Sequence, residues 1–343
     1  MQLHKAPNTT AILNDKEYLF FSGTSYLGIP LLPKFQQLLI ESIQKWGTSY
    51  GSSRSANLKL SIYQKGEEFL SSFLKTEDSV TVSSGTIAGQ FALNALCKKV
   101  DEFFFMPKTH PAILPKKSKP VFENELLSSS LKNNKNKTIC IVIDAIAALE
   151  TKPFSFDFLN SIDPSNKVFV LIDESHSLGV LGENGSGISS LITKKENVEI
   201  IIVSSLGKAF GLNGGVIAGG KEFVASVKSD SLFIGCAGMS PAFLEAFVNG
   251  QEIYLQQQKK LQENCEYVFD KLQHLKEVRI SKNYPVFFFE NEKIADYLYE
   301  NQILITSFFY PASTKKINRI VLNANHTKKQ LDSLIDCLIQ FKL

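Results

Sequence analysis

The sequence predicts an α/β chain: a large, mostly parallel sheet covered by helices, followed by a smaller α+β domain. Three observations predict this class. Six short apolar runs rich in β-branched and aromatic residues lie between residues 79 and 220, each bounded by glycine, proline or charge. Amphipathic stretches alternate with them, the pattern of a sheet with helices on its faces. From Pro241 onward the pattern changes to a long helical segment and then a compact mixed region. The boundaries read from these changes are a 1–45 N-terminal segment, a 46–255 large domain and a 256–343 small C-terminal domain.

In chain order, the expected strands of the large domain are SVTVSS (79–84), EFFFMP (102–107), TICIVIDA (138–145), VFVLIDE (168–174), EIIIVSS (199–205) and GGVIAGG (214–220). Helices are expected at TIAGQFALNALCKKV after the first run and at NELLSSSLKNN before the third. The stretch PAFLEAFVNGQEIYLQQQKKLQENCEYVFDKLQHL reads as one long helix, with apolar residues recurring at three and four. VRISKNYPVFFFE, KIADYLYENQILITSFFYP, INRIVLNANH and TKKQLDSLIDCLIQFKL then form the α+β unit. The lysine-rich patches KKSK (116–119) and KNNKNK (132–137) read as solvated loop and helix ends.

Composition bounds the function classes. With 44% hydrophobic and 21% charged residues the chain is globular rather than disordered, and a net charge of +3 from 37 basic and 34 acidic side chains argues against nucleic acid or an acidic membrane as partner. The five cysteines, Cys97, Cys140, Cys236, Cys265 and Cys337, contain no CxxC pair, which argues against a disulfide framework and a zinc site. The N-terminus lacks the apolar core of a signal peptide and no run is long enough to span a membrane. A soluble, unprocessed, cytoplasmic protein is expected. Only three arginines occur, Arg54, Arg279 and Arg319, so each is an informative position.

Three side chains at strand ends carry the chemistry. The run EIIIVSS leads into SSLGKAFG, which holds Lys208 between glycines where a strand meets a loop. VFVLIDESHSLG ends a second strand with Asp173, and His176 follows three positions later. An acid, an imidazole and a lysine at strand carboxyl ends are what a pyridoxal phosphate site needs: a pyridinium partner, a phenol-oxygen partner and a Schiff-base amine. A buried carboxylate keeps the pyridine nitrogen protonated, and a lysine released by substrate is the natural base for the Cα proton. Taken alone, Asp173 also fits a helix cap and His176 a packed core histidine. An ATP-binding loop is excluded because Ile202 stands where its first glycine would be.

SSGTIAGQ follows a strand and opens a helix, so the backbone N–H groups of Gly85 and Thr86, the Thr86 hydroxyl and Ser84 face an anion. A Ser-Gly turn before a helix is also an ordinary cap; with Lys208 it reads as a phosphate cup. Ser205 is a second candidate donor, while Ser204 reads as facing away.

The order SSG, THPA, DESH, SSLGK resembles the α-oxoamine synthases, pyridoxal phosphate enzymes of fold type I that condense an amino acid with an acyl thioester and lose the carboxylate. The resemblance covers nearly the whole chain, from SGTSYLGIP and WGTSYGSSR through SSGTIAGQFALNAL and DESHSLGVLGENGSG to SSLGKAFGLNGG, the most specific segment. It implies a seven-stranded-type sheet and a homodimer with active sites at the subunit boundary. It further implies that His110 in PKTHPAI stacks on the pyridine ring, and that Arg319 and Thr24 bind substrate, Arg319 by gripping its carboxylate. A surface salt bridge is the plainer reading of Arg319, which the scarcity of arginine weakens.

The departures from the family pattern are specific. DAIAALETK replaces a segment with a serine and an MDGD run, so Ala148 cannot donate to the cofactor's phenolic oxygen. Ala237 and Gly238 in CAGMSP supply no hydroxyl to a partner's phosphate site, and RLLSG becomes RSANL, with Asn57 its polar remnant. The expected reaction is that of 8-amino-7-oxononanoate synthase, from L-alanine and a pimeloyl thioester carried on CoA or a carrier protein. The SFFYP run looks more like 2-amino-3-ketobutyrate CoA ligase, acting on glycine and acetyl-CoA. An aminotransferase or lyase with the same cofactor, and a non-catalytic scaffold, are the readings from other classes.

Overall fold

The computed structural model describes residues 2–193, 195–309 and 316–341. Tyr310 and Pro311 of the SFFYP run lie outside the described residues. The chain divides into two compact units: residues 33–149 with 153–251, and residues 1–32 with 150–152 and 252–343.

The larger unit is built on a seven-stranded sheet. Its spatial order is Asp78–Val82, Gly215–Gly219, Val198–Ser205, Lys167–Asp173, Thr138–Asp144, Glu102–Phe105, Lys119–Pro120. All neighbouring pairs are parallel except those made by Gly215–Gly219, which runs against both of its neighbours. Strands buried on both faces read as unbroken apolar runs rather than alternating ones. Ile139, Ile141 and Ile143 pack into one core with Val168, Val170 and Ile172, while Cys140 and Val142 pack into the other with Leu171, Ile201 and Val203. Full burial of such a side chain stabilises by roughly 1.5–3 kcal/mol, so the strands are held from above and below.

Six of the seven strands coincide with the runs read from sequence. The seventh, Lys119–Pro120, lies at the end of KKSK and pairs with Glu102–Phe105; two residues are too few to carry a periodic signal. NELLSSSLKNN is not one helix. Leu126–Leu127 pairs with Phe122–Glu123 in a small hairpin turned by Asn124 and Glu125, both at positive φ, and only Ser129–Asn133 is helical. The long helix expected from Pro241 is two, Pro241–Asn249 and Gln251–Leu272, interrupted at Gly250.

The smaller unit contains a six-stranded sheet, ordered Thr10–Leu13, Lys16–Phe21, Ile303–Phe309, Lys316–Val321, Val286–Phe289, Val278–Arg279. Its first two strands come from the N-terminal segment. They form a tight hairpin whose turn residues, Asn14 and Asp15, both take the left-handed conformation that suits a two-residue turn. Residues 1–32 therefore belong with the C-terminal residues, and the helix Pro33–Trp46 belongs to the larger unit. Among the described residues, no helix is long and apolar enough to cross a membrane.

Candidate active site

Sheet register gathers the site. Asp144 and Asp173 are paired neighbours at the ends of adjacent parallel strands, and Asp173 pairs on its other side with Val203, two residues before Ser205. The carboxyl ends of three strands thus deliver their loops to one edge, where ligands of open α/β sheets bind.

Each loop is shaped by local bonds. After Asp173, the buried Glu174 turns away from the site and accepts from the backbone N–H groups of Ile188 at 2.9 Å and Ser189 at 2.6 Å, and from the Ser177 hydroxyl. Gly187 makes this possible: its φ is 85°, and a Cβ there would meet a Glu174 carboxylate oxygen at 2.6 Å. The glycine-rich run after DESH is thereby tied beneath the strand end. Asp173 Oδ1 accepts the Ser175 N–H at 2.8 Å, and Ser175 Oγ accepts the Ser205 N–H at 2.8 Å, joining the two strand ends.

The structure brings together the residues expected to form a phosphate cup. Ser84 caps the helix Gly85–Leu96 by accepting from the Ile87 N–H at 3.3 Å. Gly85 lies so close to the lysine-bearing strand that a Cβ would approach Ser205 Cβ to 2.7 Å, and a Cβ on Gly215 would meet the Ser84 carbonyl oxygen at 2.3 Å. Ser205 Oγ accepts the Gly207 N–H at 3.1 Å, which leaves its own proton to donate. The buried Ser204 bonds the Ser205 carbonyl instead.

These elements enclose a cavity of about 290 Å³ lined by Ser84, Gly85, Thr86, His110, Asp144, Ala148, Asp173, Ser175, His176, Ser205 and Lys208. All eight residues expected at the cofactor line it. Lys208 Nζ lies 2.8 Å from His176 Nε2. Such a contact needs one nitrogen to offer a lone pair, so lysine and histidine are not both fully protonated here. His110 is fixed at three points: its backbone N–H donates to Asp144 Oδ2 at 2.7 Å, its Nδ1 accepts the Ala112 N–H at 3.1 Å, and its carbonyl accepts the Ile113 N–H at 3.1 Å.

Two polar lining residues, Asp144 and Ser175, go beyond those the sequence singles out. Asp144 ends TICIVIDA just as Asp173 ends VFVLIDE, so the signal, an acid closing an apolar strand, was present. Ser175 carries no such mark. Burial first, then the neighbouring Asp173, pushes the Asp144 carboxyl up to about 8, against the opposing pull of the His110 N–H and Lys208.

Residues 125–338 match the family described as aminotransferase class I and II, more than half of the chain. The chain belongs to that family. Within it, the chain is 27% identical to the 8-amino-7-oxononanoate synthase of Petrotoga mobilis, over 96% of this chain and 90% of the relative. A solved 8-amino-7-oxononanoate synthase from Francisella tularensis is 25% identical with a TM-score of 0.74, covering 94% of this chain and 96% of that one. A serine palmitoyltransferase from S. paucimobilis, solved with a bound PLP–myriocin adduct, superposes with a TM-score of 0.80 at 16% identity, covering 98% and 90%. The fold is that of the type I transferases of this family, as the sequence predicts.

Arg319 and Thr24 sit in the smaller unit, where Arg319 reaches the residue before Thr24. Arg319 Nη2 donates to the Gly23 carbonyl at 3.4 Å, and the Tyr26 N–H donates to the Thr24 carbonyl at 2.9 Å. Arg319 Nε is buried with no acceptor among the described residues, an orphaned donor suited to an anionic guest. The turn that carries Thr24 is held by three amides: Asn323 Nδ2 donates to Ser25 O at 2.9 Å, Asn325 Nδ2 to Gly28 O at 3.0 Å and Gln257 Nε2 to Leu27 O at 2.8 Å.

Proposed function

We propose that the protein is a pyridoxal phosphate-dependent C-acyltransferase, condensing a small amino acid with an acyl thioester and releasing CO2. Within that class we assign it as 8-amino-7-oxononanoate synthase, joining L-alanine to a pimeloyl thioester in biotin synthesis. The observation that carries the assignment is the cavity in which Lys208 meets His176 at 2.8 Å with Asp173, Ser84, Gly85, Thr86 and Ser205 around it. The full-length similarity to 8-amino-7-oxononanoate synthases supports the choice of substrates.

The residues fit the cofactor. Lys208 would hold it covalently through Nζ, Asp173 would face its ring nitrogen, His176 its phenolic oxygen and His110 its ring. Ser84, Gly85, Thr86 and Ser205 would hold the phosphate with N–H and hydroxyl donors at a helix start. When bound, pyridoxal phosphate supplies an electron-withdrawing ring that stabilises negative charge at the amino acid's Cα.

The chain's own groups do the rest. Lys208 Nζ, in its neutral form, takes the Cα proton, and His176 beside it accepts or returns a proton at Nε2. Asp173, 8% exposed and braced by the Ser175 N–H, lines the cavity wall, where partial burial strengthens a carboxylate's hold on a cationic partner over that in water. Arg319 would offer its planar fork, with its unpartnered Nε–H, to the substrate carboxylate, and Thr24 is the second substrate-binding candidate. Ala148 lines the cavity without a hydroxyl, so His176 would serve the cofactor's phenolic oxygen without help from that position.

The proposal includes a cytoplasmic homodimer using either CoA or a carrier protein. Leu58, Leu232 and Ile234 are exposed at 73%, 53% and 42%, and Ser53 ties their two segments by bonding Ile234 O; a second copy would cover such surface. The deciding experiment follows free CoA with alanine and pimeloyl-CoA, with glycine and acetyl-CoA, and with each reactant alone. Release only from the first pair supports the assignment; release from the second favours the ligase reaction. Pyruvate or glutamate formation without thioester use would refute the acyltransferase.

A further inference from the structure

The roles above leave Asp144 unused. It is 4% exposed, lines the same cavity, and stands beside Asp173 in sheet register. The ionisable groups facing the shared cavity are Asp173 from the adjacent strand, His176 and Lys208 from the loops that follow, and His110 from the 106–113 segment. The one described hydrogen bond to its carboxyl comes from the His110 backbone N–H at 2.7 Å. The neighbours of His110 are pinned elsewhere: Thr109 Oγ1 to Met106 O at 2.6 Å, and Ala112 O by Gln90 Nε2 at 2.8 Å. The His110 carbonyl accepts the Ile113 N–H at 3.1 Å, and the His110 N–H itself rests on Asp144.

Two buried carboxylates side by side are tolerated when one keeps a proton. Resting on the cofactor reading above, we propose that Asp144 is a positioning residue that, as a neutral acid, fixes the His110 peptide at the cavity wall and leaves Asp173 the sole carboxylate there. Neutrality matters because a second negative charge would compete with Asp173 for the ring nitrogen. The His110 bond needs an acceptor oxygen and no charge. An amide therefore replaces the acid, and a methyl group does not.

The test titrates pyridoxal phosphate into the cofactor-free protein and its Asp144→Asn and Asp144→Ala variants, following the visible absorbance of the bound chromophore. The expected Kd for Asp144→Asn lies within about threefold of the parent's, and that for Asp144→Ala is about tenfold weaker or more, the effect of one orphaned buried N–H. Equal affinity in the parent and Asp144→Ala, or equal weakening in both variants, overturns the proposal. Infrared spectra of cofactor-free protein labelled at aspartate carboxyls give a second readout: a protonated-carboxyl band at neutral pH, lost in Asp144→Asn. Its absence from the parent also overturns the proposal, whether or not Asp144→Ala folds. A parent that takes up no pyridoxal phosphate sinks the proposed function instead, and the infrared band then decides for or against Asp144 by itself.

Discussion

The two units hold their candidate residues by different means. In the larger unit, Asp144, Asp173 and Ser205 sit at strand ends, so parallel register alone sets their spacing. In the smaller unit, the turn carrying Thr24 is held by side-chain amides, Asn323, Asn325 and Gln257, that reach backbone carbonyls far away in sequence. Ladder hydrogen bonds repeat and are buried on both faces, whereas an amide clamp depends on single side chains. The first arrangement suits groups whose spacing must be fixed, the roles proposed for Asp144, Asp173 and Ser205, and the second suits the gripping role proposed for Arg319 and Thr24.

The sharpest way to break this comparison is at the lysine. Lys208→Ala should lower turnover by about 10⁴-fold or more and abolish borohydride fixation of the cofactor, while far-UV circular dichroism stays that of the parent. Retained turnover would remove the division of labour between the units.

A second effect lies in the smaller unit's own packing. His326 stacks on Phe21 at 4.1 Å, accepts the Asn323 N–H at 2.9 Å through Nδ1 and bonds Phe20 O through Nε2. Burial lowers it from 6.5 to about 4. A histidine held neutral in the folded state contributes stability above its unfolded value, and that stability is lost as pH falls from 6.5 toward 4. The loss expected is about 3 kcal/mol at most. Denaturant unfolding at neutral pH and near pH 4.5, compared between the parent and His326→Leu, checks it: the variant should be weaker at neutral pH and less sensitive to acid.

Arg319→Lys sharpens the gripping side. The charge survives and the planar fork does not, so kcat/KM for the amino acid should fall by about 10- to 100-fold, mostly through KM. A fall confined to kcat would move Arg319 to the chemical side of the comparison. The smallest change expected is at Thr327, whose hydroxyl and the Gln330 side chain form a reciprocal capping box on the helix Lys328–Gln340. Thr327→Ala should destabilise by about 1 kcal/mol, measured by chemical denaturation, with turnover unaffected.

The contrast also explains what was legible in the sequence. Doubly buried strands announce themselves as unbroken apolar runs; Asp173 is legible because it closes one, Lys208 because it stands between glycines where one meets a loop, and Ser205 because it precedes that lysine by three residues. Asp144 closes a run as Asp173 does, but no motif follows it to single it out. The clamp on Thr24 leaves no local trace, since Asn323 and Ser25 are 298 positions apart. The N-terminal hairpin had a signal in its Asn-Asp turn, but the strand partner that gives it a place, Ile303–Phe309, lies at the other end of the chain.

The close approach of Gly85 to Ser205, and of Gly215 to Ser84, has a consequence for how this molecule can lose its activity. Each contact is filled to the last hydrogen atom, so adding a single carbon at either glycine would wedge the helix start away from the strand while every reactive side chain remained in the gene. Silent, inert descendants of this chain are therefore reachable in one step that a search for missing catalytic residues would overlook.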